Sequence, residues 1–187
     1  SLFEQDESVF VKDKIILCFA GLTECFDSQK VEKSLPVFVP LLIDSAKSFN
    51  PQCILCQAAA VESLSLCISH FKEYFDDISE SFTSFLLSWI DDIEDRHHVT
   101  SAIYSLKKLI TSDALNDNVI LDNVLQSAAK HLSHPALNEI DLGIDDSGIS
   151  LEEMKVAFLS LIRTTTKYVF KKADSIENNF FIDFLPN

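Results

Sequence analysis

Two stretches of this sequence carry residues that could do chemistry. Cys53-x-x-Cys56 followed by Cys67-x-x-His70 has the residue types of a knuckle-type zinc site. The segment between the pairs, Gln57-Ala58-Ala59-Ala60-Val61-Glu62-Ser63-Leu64, is strongly helix-forming. In one straight helix Cys53 and His70 would lie about 25 Å apart, at ~1.5 Å per residue. Four ligands could not then reach one metal at ~2.3 Å. The second stretch, Asp91-Asp92-x-Glu94-Asp95-Arg96-His97-His98, collects acids and two histidines where a divalent metal could bind. Adjacent histidines on a helix do not point the same way. The residues therefore favour a solvated turn that caps the next helix, with His97 and His98 exposed.

Other chemistries lack their residues. No serine sits in a Gly-x-Ser-x-Gly turn, and there is no P-loop, HExxH or EF-hand pattern. Asp145-Asp146-x-Gly148 lacks the ligand register of a calcium loop. Lys107-Lys108 and Lys171-Lys172 are two isolated pairs, too few for nucleic-acid binding in a chain of net charge −14. No catalytic residue, cofactor site or metal site is assigned, and the chain is not expected to be an enzyme.

The elements that would position any site are repeated. Cys18-Phe19-x-x-Leu22-x-x-Cys25-Phe26 returns 42 residues on as Ala60-Val61-x-x-Leu64-x-x-Cys67-Ile68. It returns after another 42 as Ala102-Ile103-x-x-Leu106-x-x-Leu109-Ile110, and 55 further on as Ala157-Phe158-x-x-Leu161. A second pattern steps by 43: Leu35, Val39, Leu42, Ile43 and Ala46 become Ile78, Phe82, Phe85, Leu86 and Trp89, then Leu121, Leu125, Ala128, Ala129 and Leu132. Both patterns have the spacing of one helix face. Each unit therefore holds a helix A and a helix B, and a step of this length marks stacked helical hairpins. The repeat places Cys67 in the core.

Helix ends agree with this. Asn50-Pro51 starts one B helix, Asp76 or Asp77 caps the next A helix, Asp95 its B helix and Asp117 the third A helix. Ser150-x-x-Glu153 is a capping box. Pro40 lies inside the first A helix and should kink it. The 13-residue excess in the third unit falls at residues 134–149 and predicts an acidic inter-helix loop carrying Glu139, Asp141, Asp145 and Asp146. Ile176, Phe180 and Phe184 continue the A pattern, so the tail is expected to form the A helix of a further unit. With a B helix near residues 12–26, both ends are half-units, which predicts a slice of a longer array, the alternative being a self-contained bundle whose ends fold over.

Composition sets further bounds. The chain has 187 residues, 47% hydrophobic with fifteen Phe, enough for one sizeable core. Gly, at three residues, is too scarce for a turn-rich β fold. Five Cys, mostly on apolar faces, predict reduced thiols and an intracellular setting, cytoplasm and/or nucleus. No segment has the apolar length of a membrane span. The acidic balance disfavours phosphate backbones and anionic membranes, and favours basic partner segments.

Leu35-Pro36-x-x-x-Pro40-Leu41-Leu42 in helix A and Ala58-Ala59-Ala60-Val61-x-x-Leu64 in helix B resemble a HEAT repeat, with Asp92 and Arg96 at the places of that family's turn acid and first-turn base. The resemblance spans residues 12–185. It implies an all-α, right-handed α-solenoid of about three full units plus flanking half-units, as a single domain. It implies a protein–protein interaction scaffold, with B helices on the concave face. Importin-β-like transport receptors are similar in being acidic and in carrying an acidic loop between helices; genome-maintenance, vesicle-trafficking and kinase-chaperone scaffolds fit equally. The expected contacts to protein partners are Glu62, Ser69, Tyr104, Lys108 and Arg163, with Tyr104 foremost as an exposed aromatic. The acids Glu139, Asp141, Asp145 and Asp146 are added from the loop. A metal-dependent enzyme using Asp91–His98 and a structural spacer remain the alternatives.

Overall fold

A computed structural model describes residues 11, 14–16, 18, 21, 28–47, 54–75, 78–93, 95–138 and 148–182. Every regular element among them is helical: α1 (Ser28–Glu32), α2 (Leu35–Ala46), α3 (Ile54–His70), a 3-10 turn (Lys72–Tyr74), α4 (Ser79–Asp91), α5 (Arg96–Thr111), α6 (Asn118–Leu132), α7 (Pro135–Asn138) and α8 (Leu151–Ile182). No described helix is long and apolar enough to cross a membrane.

On the later helices the repeated apolar positions form the core, whereas Cys18, which opens the first copy, is exposed. On α3 and α5, Ala60, Val61, Leu64, Cys67 and Ile68 and their counterparts Ala102, Ile103, Leu106, Leu109 and Ile110 are all buried, as are Phe158 and Leu161 on α8. Fully burying one such leucine is worth about 1.5–3 kcal/mol. The A pattern holds less strictly. Leu35, Val39, Leu42, Phe82, Leu86, Leu121 and Ala128 are buried, but Ala129 is exposed.

Local signals set most helix starts. Asp95 accepts the His98 amide at 3.1 Å, and Asp117 accepts the amides of Val119 and Ile120 at 2.7 and 3.2 Å. Ser150 and Glu153 close their capping box in both directions, at 3.1 and 2.8 Å. These bonds satisfy amides that have no partner within the helix. Helix α4 differs. Its cap is Ile78 rather than Asp76 or Asp77, and no side chain caps it. Phe75, fully buried just upstream, takes the Ile78 and Ser79 amides on its carbonyl. Helix α2 runs through Pro40 to Ala46. Asn50-Pro51 lies outside the described residues.

Each A helix pairs with the B helix that follows it: α2 with α3, α4 with α5, α6 with α8. The B helices also pack in sequence, α3 on α5 and α5 on α8, and α4 packs on α6. Side-chain bonds give the register. Gln57 meets His98 and Glu62 meets Ser101, separations of 41 and 39 residues. Arg96 meets Ile149 and Lys107 meets Ser160, both 53 apart, and Tyr168 meets Asp113, 55 apart. Partner numbers rise together, so α3, α5 and α8 run parallel, offset by nearly the length of the sequence step.

Two further expectations change. The insertion is not wholly an exposed loop: Pro135–Asn138 is a helical turn, Leu137 is fully buried, and Ile149 is held by Arg96. Residues 139–147 lie outside the described residues. Nor does the tail begin a separate A helix, because α8 continues without a turn through Ile176 and Phe180 to Ile182. No Gly or Pro interrupts residues 151–182, and Lys171-Lys172-Ala173 are good helix formers. Phe184 lies outside the described residues.

Candidate functional site

The seam between α3 and α5 gathers the polar side chains. Glu62 accepts a hydrogen bond from the Ser101 hydroxyl at 2.8 Å. Burial pushes its carboxyl above the usual carboxylate range, against the lowering effects of the Ser101 bond and of nearby His97. One turn toward the start of α5, His98 lies between three elements. Its Nδ1 is 2.8 Å from Asp95 Oδ2, its Nε2 is 3.0 Å from Gln57 Oε1, and its ring stacks on Trp89 of α4. Burial lowers the His98 pKa, opposed by the charges of Asp95 and Asp92, with His97 adding a smaller lowering.

This geometry separates the Asp91–His98 stretch. Asp91 turns to α6, where His131 Nε2 approaches its Oδ1 at 2.9 Å and the Lys130 amine at 3.7 Å. Asp95 turns to His98. Asp91 closes α4 and Asp95 caps α5, so the two carboxylates meet different neighbours. His97 and His98 are partly buried rather than exposed, because α5 brings them against α3 and α4. His131 itself is buried, stacked on Phe158, with its Nδ1 unpartnered. Among the described residues no three His, Cys, Asp or Glu side chains converge as metal ligands. Ser101 donates to Glu62 while His98 engages Asp95 and Gln57, so these residues form no hydroxyl–imidazole pair.

The cysteine stretch is likewise dispersed. Cys56 and Cys67 are buried along α3, His70 is exposed at its end, and Cys53 lies outside the described residues. Burial pushes the Cys67 thiol up to about 12, as a core position would.

The expected contact residues fall into three groups. Tyr104, 46% exposed, and Arg163 face outward as predicted. Lys108 and Ser69 are half-buried, and the Ser69 hydroxyl donates to the Ser65 carbonyl at 2.7 Å. Glu62 belongs to the seam rather than to the open face, since α5 closes over it. Glu139, Asp141, Asp145 and Asp146 lie outside the described residues. Sequence reasoning missed Val156, Leu159 and Phe170, which are exposed along the same side of α8 as Arg163. A signal existed: the 55-residue step carries Tyr104 onto Leu159 and Lys108 onto Arg163.

Set beside known proteins, the chain matches no family model, no curated protein and no solved structure.

Proposed function

We propose that this chain is a protein–protein interaction scaffold, a right-handed stack of HEAT-like hairpins whose B helices present the binding face. One observation carries this reading. Helices α3, α5 and α8 run parallel in a register close to the sequence step, and on α5 and α8 the side facing away from the buried row keeps Tyr104, Leu159 and Arg163 exposed. A repeated helix with one buried and one open side offers partners a continuous surface. The proposed setting is the cytoplasm or nucleus, in keeping with the free thiol of Cys67 in the core.

The test is recovery of a partner by the intact chain and by Tyr104→Ala, with unfolding monitored for both. Loss of the partner at unchanged stability supports the scaffold. If substitutions at Tyr104, Leu159 and Arg163 all leave recovery unchanged, the chain is a spacer instead.

A further inference from the structure

The open side of α5 and α8 is bordered by Lys108, Arg163 and Lys167, against the charge of the whole chain, while Arg96, Lys107 and Lys172 on the same helices bond within the fold. The chain carries 29 acids and 15 bases. Yet Arg96–Thr111 contains Arg96, Lys107 and Lys108 and no acid, and the stretch from Met154 to Ala173 contains Lys155, Arg163, Lys167, Lys171 and Lys172 and no acid. Eight of the fifteen cations thus lie on two adjacent parallel helices. The Lys107 amine donates to the Ser160 hydroxyl at 2.7 Å across the seam, which makes the two helix surfaces continuous.

Apolar side chains run through this basic surface. Val156, Leu159, Arg163, Lys167 and Phe170 recur at three- and four-residue spacing, the period of one helix face, and all are exposed. Leu159 is 56% and Phe170 66% exposed. The opposite face of α8, with Met154, Phe158, Leu161 and Thr165, is already fully buried. The outer row is therefore not a core face of this helix in the wrong place. Tyr104 extends the row onto α5. Glu152 stands at the N-terminal end of this row and pairs with Lys155 at 3.4 Å. Exposed apolar residues set among Arg and Lys mark an interaction surface rather than a solvated one.

We infer that this face binds an acidic amphipathic helix of a partner protein. This rests on the scaffold reading and names the chemistry of its partner. The row from Val156 to Phe170 spans about 21 Å at ~1.5 Å per residue, the length of roughly four helical turns. A helix with apolar residues at i, i+3 or i+4, and i+7 would cover the row, and flanking Glu or Asp would meet Lys108, Arg163 and Lys167. A phosphate backbone offers no apolar stripe to cover Val156, Leu159 and Phe170, whereas an acidic amphipathic helix offers both the stripe and the carboxylates.

Two fluorescent helical peptides with the same leucine row, one flanked by Glu and one by Lys, test this by anisotropy with the full chain. The Glu peptide is expected to bind and the Lys peptide not. Lys108→Glu with Arg163→Glu should weaken binding about tenfold or more, and added salt should weaken it in the unaltered chain. Leu159→Ser should also weaken it, and circular dichroism should show all variants folded, since these positions lie outside the core. Equal binding of both peptides, or binding untouched by the double charge reversal, overturns the acidic assignment. If Leu159→Ser then still abolishes both, the face remains a binding surface and the scaffold reading stands. Binding of neither peptide, or capture of the chain by phosphatidylserine vesicles in preference to the Glu peptide, also overturns the proposal. Recovery of a partner sensitive to Tyr104→Ala decides the scaffold reading separately.

Discussion

The His98 imidazole stacks on the Trp89 indole with ring centroids 4.1 Å apart and planes 26° from parallel. The contact joins the end of α4 to the start of α5, while Gln57 and Asp95 hold the two ring nitrogens. Trp89 is the chain's one tryptophan, so its emission reports on this site alone.

Protonation of His98 should therefore be visible and destabilising. Burial holds its folded pKa below the ordinary value of about 6.5. The folded state binds the proton less readily than the unfolded chain. The contribution to stability is full above the unfolded value and is lost as pH falls through the folded one. Trp89 emission should step at a pH below about 6.5, and His98→Gln should remove the step. Urea unfolding of the two proteins across that window should show the unaltered chain losing stability relative to the variant; a relative gain would reverse the sign of the argument.

Glu62 should behave in the opposite sense. Its folded pKa is raised, chiefly by burial. It contributes fully below its unfolded value, and that contribution is lost as pH rises through the folded one. Glu62→Gln keeps an acceptor for Ser101 and removes the charge. The variant should be the more stable protein near neutrality, with the advantage vanishing at about pH 4, close to the ordinary Glu value. Chemical denaturation at the two pH values measures it.

Core and face should respond differently to truncation. Leu106 is fully buried between the B helices, so Leu106→Ala should cost roughly 2–5 kcal/mol. Leu159→Ala, on the exposed row, should stay within about 0.5 kcal/mol of the unaltered chain. A loss of several kcal/mol at Leu159 would mean that the row is packed within the chain.

Thiol chemistry offers a check on burial. Cys67 is buried with its pKa pushed up to about 12, whereas Cys18 is exposed. Under native conditions iodoacetamide should modify Cys18 and spare Cys67 until denaturant is added. Mass spectrometry of the digested chain reads both sites, and rapid native labelling of Cys67 would contradict its place in the core.

Much of the fold was legible because its causes are local or periodic. Asp95, Asp117 and the Ser150–Glu153 box act within one turn, on amides that any helix start leaves unpaired. The B-helix face repeats in the sequence, so Cys67 could be placed in the core from Cys25 and Leu109 alone. Composition and periodicity together determined an all-helical chain, its principal buried face and three of its helix caps.

Tertiary structure decided what depends on how neighbouring helices are rotated and offset. Asp91 and Asp95 are four residues apart, yet one meets His131 and the other His98. Glu62 reads as solvent-facing on its own helix and becomes half-buried because α5 brings Ser101 to it. The tail carries an A-type pattern, but with no helix breaker α8 simply continues. Lys108 on α5 and Arg163 and Lys167 on α8, far apart in sequence, come to border one face only when the two helices lie side by side. A helix specifies its own faces through its period, but which face stays open depends on contacts that the chain makes at separations of 39 to 55 residues.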